Sequence, residues 1–192
     1  HWLGEETGEY YFFKHNTTEC DPQASYKAVQ QAISEADILV GHNLKYDLLW
    51  LSETGFDIDC KHYCTMIGEY VLARGQKVPL SLSETAKRRK VTEKRSDLME
   101  DTFKKGIGYE AMDADIVEEY GRGDVVTCLE VYESQLHDYR LPEFTGLRRV
   151  RDMMNEMLMT LLEMERNGIY IDMAKLDEVE NKFTEERNAL QT

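Results

Sequence analysis

Apolar positions along the chain switch between two periods. Tyr10 to Phe13 is an aromatic run after Gly8 and reads as a strand, with Trp2 and Leu3 before the Gly4–Gly8 turn as its antiparallel partner. Pro22 opens a helix that runs to about Glu35, with Asp21 as its cap. Ala36 to Val40 carries Ile38, Leu39 and Val40 in succession. Continuous runs of this kind mark a strand covered on both faces, as in a parallel sheet. Gly41, His42 and Asn43 end it, a helix follows from about Tyr46 to Glu53, and Gly55 stops that helix. Helices are also expected from Thr65 to Ala73, ended by Arg74-Gly75, and from Leu82 to Lys90, with Ser81 or Ser83 as cap. Residues 104–113 read as a loop. Asp115 to about Gln135 reads as largely helical, with Gly121 and Gly123 as candidate breaks.

Pro142 and Gly146 punctuate the chain near residue 145, and beyond them the pattern changes. Val150, Met154, Met157, Leu161 and Met164 recur at spacings of three and four, the stripe of a helix facing a core or an interface. Gly168 ends that helix, Ile169-Tyr170-Ile171 is extended, and Asp172 caps a last helix from about Met173. Strands alternating with helices predict an α/β layer architecture.

Composition narrows the class. The 192 residues are 42% hydrophobic and 31% charged, a globular balance with room for a core. No apolar run approaches the roughly 18 residues that span a bilayer, so no membrane partner is expected. Net charge is −14, which argues against coating nucleic acid with the whole surface. Charge is unevenly placed, however. Lys77 to Lys105 holds nine basic and five acidic side chains, so it carries +4 while the remainder carries −18. That stretch reads either as a solvated helix face or as a local basic groove beside acidic clusters, an arrangement that a metal-dependent phosphodiesterase uses. Cys20, Cys60, Cys64 and Cys128 show no disulfide framework, and reduced thiols are expected. Cys60 and Cys64 lack the second pair that a zinc site would need.

Two constellations carry candidate chemistry. Gly41-His42-Asn43-Leu44-Lys45-Tyr46-Asp47 leaves the C-terminal end of the apolar strand and enters a helix. Ligands of open α/β sheets gather at such ends. Asp47 falls on the first turn, from which it either points into that crevice or simply complements the helix dipole. The second constellation is Tyr120-Gly121-Arg122-Gly123-Asp124. A tyrosine and a carboxylate four residues apart share one helix face and can reach a common water. Two glycines within a helix cost roughly 2 kcal/mol relative to alanine, so close approach of a substrate or another backbone is expected there. The alternative is an interhelical loop with Asp124 as an N-cap.

Taken together, Asn43-x-x-Tyr46-Asp47 at a strand end and Tyr120-x-x-x-Asp124 about 75 residues later resemble the second and third motifs of the DEDDy 3′–5′ exonucleases. Asp37 to Asn43, Thr65-Met66 and Leu80-Ser81-Leu82 are similar to that family's neighbouring segments, with Cys64 where the family usually has Asp. Leu161 to Asp172 resembles the helix and Glu-x-x-Gly-Ile-x-Ile-Asp segment that opens the polymerase domain of family A DNA polymerases. The resemblance implies a ribonuclease-H-like exonuclease fold, a mixed sheet flanked by helices and followed by C-terminal helices. It implies an exonuclease domain over residues 1–145 and opening polymerase helices over 146–192.

The activity implied is proofreading: two-metal hydrolysis of the 3′-terminal phosphodiester of DNA, with two divalent cations, Mg²⁺ or Mn²⁺, about 4 Å apart. By the same resemblance Asp47 and Asp124 are metal ligands and Tyr120 orients the attacking water. Asn43 and Tyr46 contact the single-stranded 3′ end, and the Lys87–Arg95 island lines its path. The partners implied are DNA and a polymerase domain in cis. The location implied is cytoplasmic, in the nucleoid of a bacterial or phage-infected cell. The family's first motif, Asp-x-Glu, has no counterpart at its expected place, so the chain is expected to be N-terminally truncated and inactive as it stands. A catalytically inactive, structural exonuclease-like domain and a ribonuclease D-like RNA exonuclease are the competing readings.

Overall fold

The structure, a computed structural model, describes residues 8–93, 104 and 106–190. Among these residues the protein is a mixed α/β fold, mostly helical, with seven α-helices and one two-stranded parallel sheet. No helix among them is long and apolar enough to cross a membrane. The chain divides into two compact units, His1–Met159 and Thr160–Thr192.

In the first unit α1 (Pro22–Glu35) starts as its sequence requires. Asp21 accepts from the backbone N–H of Gln23 and Ala24, and Pro22 takes the first helical position. Strand β1 (Ile38–Gly41) pairs in parallel with β2 (Lys61–Cys64), with Ile38 opposite Lys61 and Gly41 opposite Cys64. Helix α2 (Leu44–Glu53) joins them, and Gly55 in the left-handed region ends the turn after it. Helix α3 (Thr65–Leu72) leaves β2 directly, and α4 (Leu82–Arg89) is capped by Ser81. A 27-residue helix, α5 (Ala114–Arg140), crosses β1, α3 and α4.

Four sequence expectations change. The mixed sheet is absent among the described residues: Tyr10–Phe13 joins no ladder, and Trp2 and Leu3 lie outside them. The aromatic run is instead pinned by side chains, with Ser25 donating to the Phe12 carbonyl and Tyr10, Phe12 and His15 packed ring on ring. Strand β1 is only half-buried at all four residues rather than covered on both faces. Helix α5 runs unbroken through Gly121 and Gly123, so Asp124 is no N-cap. At Gly121 a Cβ would meet the Tyr10 ring at 2.7 Å, so a side chain makes a close approach there.

The fourth change concerns α6 (Arg148–Asn167), which begins in the first unit. Val150 and Met157 of the expected stripe are exposed, whereas Asn155 and Leu158 are buried. The reason is polar. The buried backbone N–H of Cys64 needs an acceptor, and Asn155 Oδ1 supplies it at 2.7 Å, which turns the Asn155 face inward. In the second unit Leu161 and Met164 are exposed, and Gly168 at φ +68° terminates α6. Asp172 then caps α7 (Met173–Leu190), which buries no residue.

The core of the first unit contains a buried carboxylate. Glu69 on α3, 6% exposed at its side chain, pairs with Arg88 at 2.8 Å and Arg89 at 2.5 Å. Gln135 of α5 donates to Glu69 and to the Thr65 carbonyl and accepts from the Tyr63 hydroxyl. Burial pushes the Glu69 pKa up, but the bond from Arg88, the charge and bond of Arg89 and the bond from Gln135 outweigh it and hold it below the usual 4.5. Ionised Glu69 therefore contributes stability that is complete above about pH 4.5 and lost as pH falls through its lowered folded value. Glu69→Gln is expected to lose about 3 kcal/mol in urea unfolding at pH 7, the scale of breaking a buried pair. The gap to the wild type should close on acidification below pH 4.5; a gap independent of pH would contradict the assignment.

Candidate functional site

The C-terminal end of β1 is held in place by one histidine and one threonine. His42 Nε2 lies 2.8 Å from the Leu80 carbonyl, which can only accept, so that nitrogen carries a proton. His42 Nδ1 lies 2.9 Å from Thr65 Oγ1, and Thr65 donates to the Gly41 carbonyl at 3.2 Å. The end of β1, the start of α3 and the segment before α4 are thereby tied at one point. Gly41 suits this place because a Cβ would meet Leu44 Cδ1 at 2.6 Å. Asn43 then turns the chain into α2 with φ 58° and ψ 40°, a left-handed conformation that asparagine tolerates. Its side chain makes no capping bond and is exposed.

Asp47 follows on the first turn of α2. The residue is exposed by area, yet its carboxyl is raised above the ordinary value, because burial outweighs the bond from its own backbone N–H. Asp124, on α5, has an Oδ1 shielded from water. One turn later on α5 comes Cys128, whose thiol is pushed up to about 11. Burial is the main cause; the Thr65 hydroxyl, 3.7 Å away, opposes it, and Cys64 and the charges of Asp47 and Asp124 add to it. Both carboxylates thus act through space on the same buried thiol, from two elements separated by about 75 residues of chain.

Tyr120 lies one turn before Asp124. Its ring packs on Met112 and Val117 beside Phe12, and with Tyr10, Lys14, His15 and Tyr109 it lines an open groove of about 500 Å³. Tyr46 stands 58% exposed on α2. In the basic island Arg88 and Arg89 pair with Glu69, Arg89 also reaches Asp138, and Lys87 pairs with Glu84. Lys94, Arg95 and Lys105 lie outside the described residues. All four cysteines are free, in line with the expected reduced thiols.

The donors fit Mg²⁺ or Mn²⁺ in kind, since both are hard carboxylate oxygens and such ions commonly take one or two carboxylates plus waters and phosphate oxygens. Among the described residues no group of three or more His, Cys, Asp or Glu side chains is assembled around one point. Sequence reasoning missed three residues. His42 and Thr65 act as the tie, and no local pattern announces a bond across 23 residues. Trp50, 55% exposed, was legible as an aromatic residue four positions after Tyr46. No known protein family matches the chain. No curated protein matches it either.

Two measurements check this geometry. In a thiol titration at pH 8, Cys20 and Cys60 should react in the native protein, and the buried Cys64 and Cys128 only after unfolding. A third thiol reacting natively would show that the strand end opens. Asp47→Asn is expected to raise the thermal midpoint at pH 7, because the fold disfavours the charged form. A raised carboxyl contributes stability only below its unfolded value and loses it as pH rises, so the difference should vanish below about pH 3.8.

Proposed function

We propose that the chain is a proofreading 3′–5′ exonuclease domain of the ribonuclease-H-like class from a family A DNA polymerase, carried with the opening helices of the polymerase domain. The observation that carries this reading is geometric: Asp47 sits on the first turn of the helix that leaves β1, and Asp124 lies one turn before Cys128, whose Sγ is 3.7 Å from the Thr65 hydroxyl bonded to the Gly41 carbonyl. Order and spacing of Asn43, Tyr46, Asp47, Tyr120 and Asp124 add to it. The likeness of Leu161 to Asp172 to the segment that opens a family A polymerase domain favours a polymerase domain in cis over the ribonuclease D-like alternative.

The reaction is hydrolysis of the 3′-terminal phosphodiester. Water oxygen bonds to phosphorus, the bond to the 3′ oxygen breaks, and a nucleoside 5′-monophosphate leaves. Asp47 and Asp124 would hold the divalent cations, which when bound activate water and stabilise the leaving oxygen. Tyr120 would orient the water from one helical turn away. Asn43 and Tyr46 would hold the terminal nucleotide, and both are exposed at the entry to α2.

One observation favours the structural alternative. The Tyr120 ring is packed in the Met112–Val117 cluster, a use that an inactive scaffold would also make of it.

The test is nucleotide release from a 3′-labelled single-stranded oligodeoxynucleotide, with Mg²⁺, with Mn²⁺ and with chelator. The chain alone should be nearly inactive. Expressed with an upstream segment that carries Asp-x-Glu, it should release mononucleotides only with metal. In that protein Asp124→Ala should abolish release and Tyr120→Phe should lower it by about 10²-fold, the scale of a water-positioning group. No release with either metal would leave the scaffold reading in its place.

A further inference from the structure

Tyr46 and Trp50 stand four residues apart on α2, with ring centroids 6.2 Å apart and planes inclined at 70°. They are 58% and 55% exposed, although the opposite side of the same helix buries Leu44 and Leu48. The backbone beneath them is fixed by the left-handed turn at Asn43 and by the core contacts of Leu44 and Leu48. Tyr46 directly precedes Asp47, so the pair begins beside the carboxylates and extends one turn away from them.

We propose that Tyr46 and Trp50 form a stacking platform for the unpaired bases of a single-stranded nucleic-acid end, with Trp50 taking the base behind the terminal one. The inference rests on the exonuclease reading for its direction and adds Trp50 as a positioning residue. Size selects the occupant. Two aromatic side chains offer at most about 150–250 Å² each. A stable protein partner needs about 800 Å² on each side, so the patch is too small for one, while one or two bases cover it. Exposed Asn43 and Asp47 at its edge make a polar rim and not the continuation of an apolar face. An indole stacks on any base, so the platform tolerates every sequence, as an exonuclease requires. Duplex bases have their faces covered by their neighbours, so the platform selects frayed ends.

The experiment is anisotropy of a 5′-fluorescein oligothymidylate titrated with the full chain in the presence of chelator, where nothing is cleaved. The wild type should bind the single strand, and an unlabelled duplex should compete poorly. Trp50→Ala should weaken binding roughly 5- to 100-fold, the range found for one lost stacking partner, and Trp50→Phe should recover most of the loss. The salt dependence should keep the same slope in Trp50→Ala, because a stacking contact releases no counterions. Circular dichroism should show unchanged helix content in both variants. Equal binding by wild type and Trp50→Ala, or no wild-type binding at 100 µM on the order of a weak non-specific site, would overturn the platform. Metal-dependent nucleotide release, measured on the protein expressed with an upstream Asp-x-Glu segment, tests the exonuclease reading separately. Release with no Trp50 effect on binding sinks the platform alone, and Trp50-dependent binding without release sinks the exonuclease reading alone.

Discussion

A carboxylate in the core dictates how the helices of the first unit meet. Taking an ion out of water costs several kcal/mol, and only close pairing offsets it. Glu69 meets that demand with two arginines from α4 and the Gln135 amide from α5, and Arg89 is itself completed by Ser134 and Asp138. The partners come from two helices other than the one that carries Glu69, so the network ties α3, α4 and α5 together. Gly68 makes that placement reachable: a Cβ there would meet the Gln135 amide and the Tyr63 hydroxyl. With the helices this close, the Tyr139 hydroxyl reaches the Gly68 carbonyl at 2.9 Å.

The same helix face carries that constraint to the candidate site. Asp124, Cys128, Val131, Gln135 and Tyr139 recur at spacings of three and four along α5. Gln135 and Tyr139 lock one end of the stripe, Val131 fills its middle, and Cys128 and Asp124 arrive at the strand end with little freedom left. There Cys128, its Sγ 3.7 Å from Thr65 Oγ1, meets a side chain that is fully buried and tied to Gly41 and His42. Of the arginines that sequence suggested for a substrate path, Arg88 and Arg89 pair with Glu69. A buried carboxylate and an exposed basic groove make competing claims on the same side chains, and pairing with Glu69 takes Arg89.

Legibility in the sequence follows the range of the forces involved. Caps and stops act within one turn, so Asp21, Ser81, Gly55 and Asp172 were all readable as they occur. The two glycines of α5 were readable as a cost but not as an outcome, because what fills the space beside Gly121 is Tyr10, more than a hundred residues away in sequence. The orientation of α6 failed for a related reason. Two apolar rows compete on that helix, and the choice falls to Asn155, whose partner is a backbone N–H on β2. Of the candidate site, the carboxylates and their positions at a strand end and on a helix were visible. The tie through His42 and Thr65 was not, because a hydrogen bond across 23 residues leaves no periodic trace.

The start of α2 brings several unusual features together. A residue in the left-handed region, a carboxylate raised by its surroundings and two large exposed rings lie within about two helical turns of each other. Each is unfavourable for the folded chain alone: strain at Asn43, a disfavoured charge at Asp47, apolar area in water at Tyr46 and Trp50. Several local rules broken together at one place are what a functional site produces. A ligand carrying flat apolar rings and able to bring cations would relieve the charge and the exposed area at once. A single-stranded nucleic-acid end with its divalent ions has that chemistry, which is why the site and the platform are read as parts of one surface.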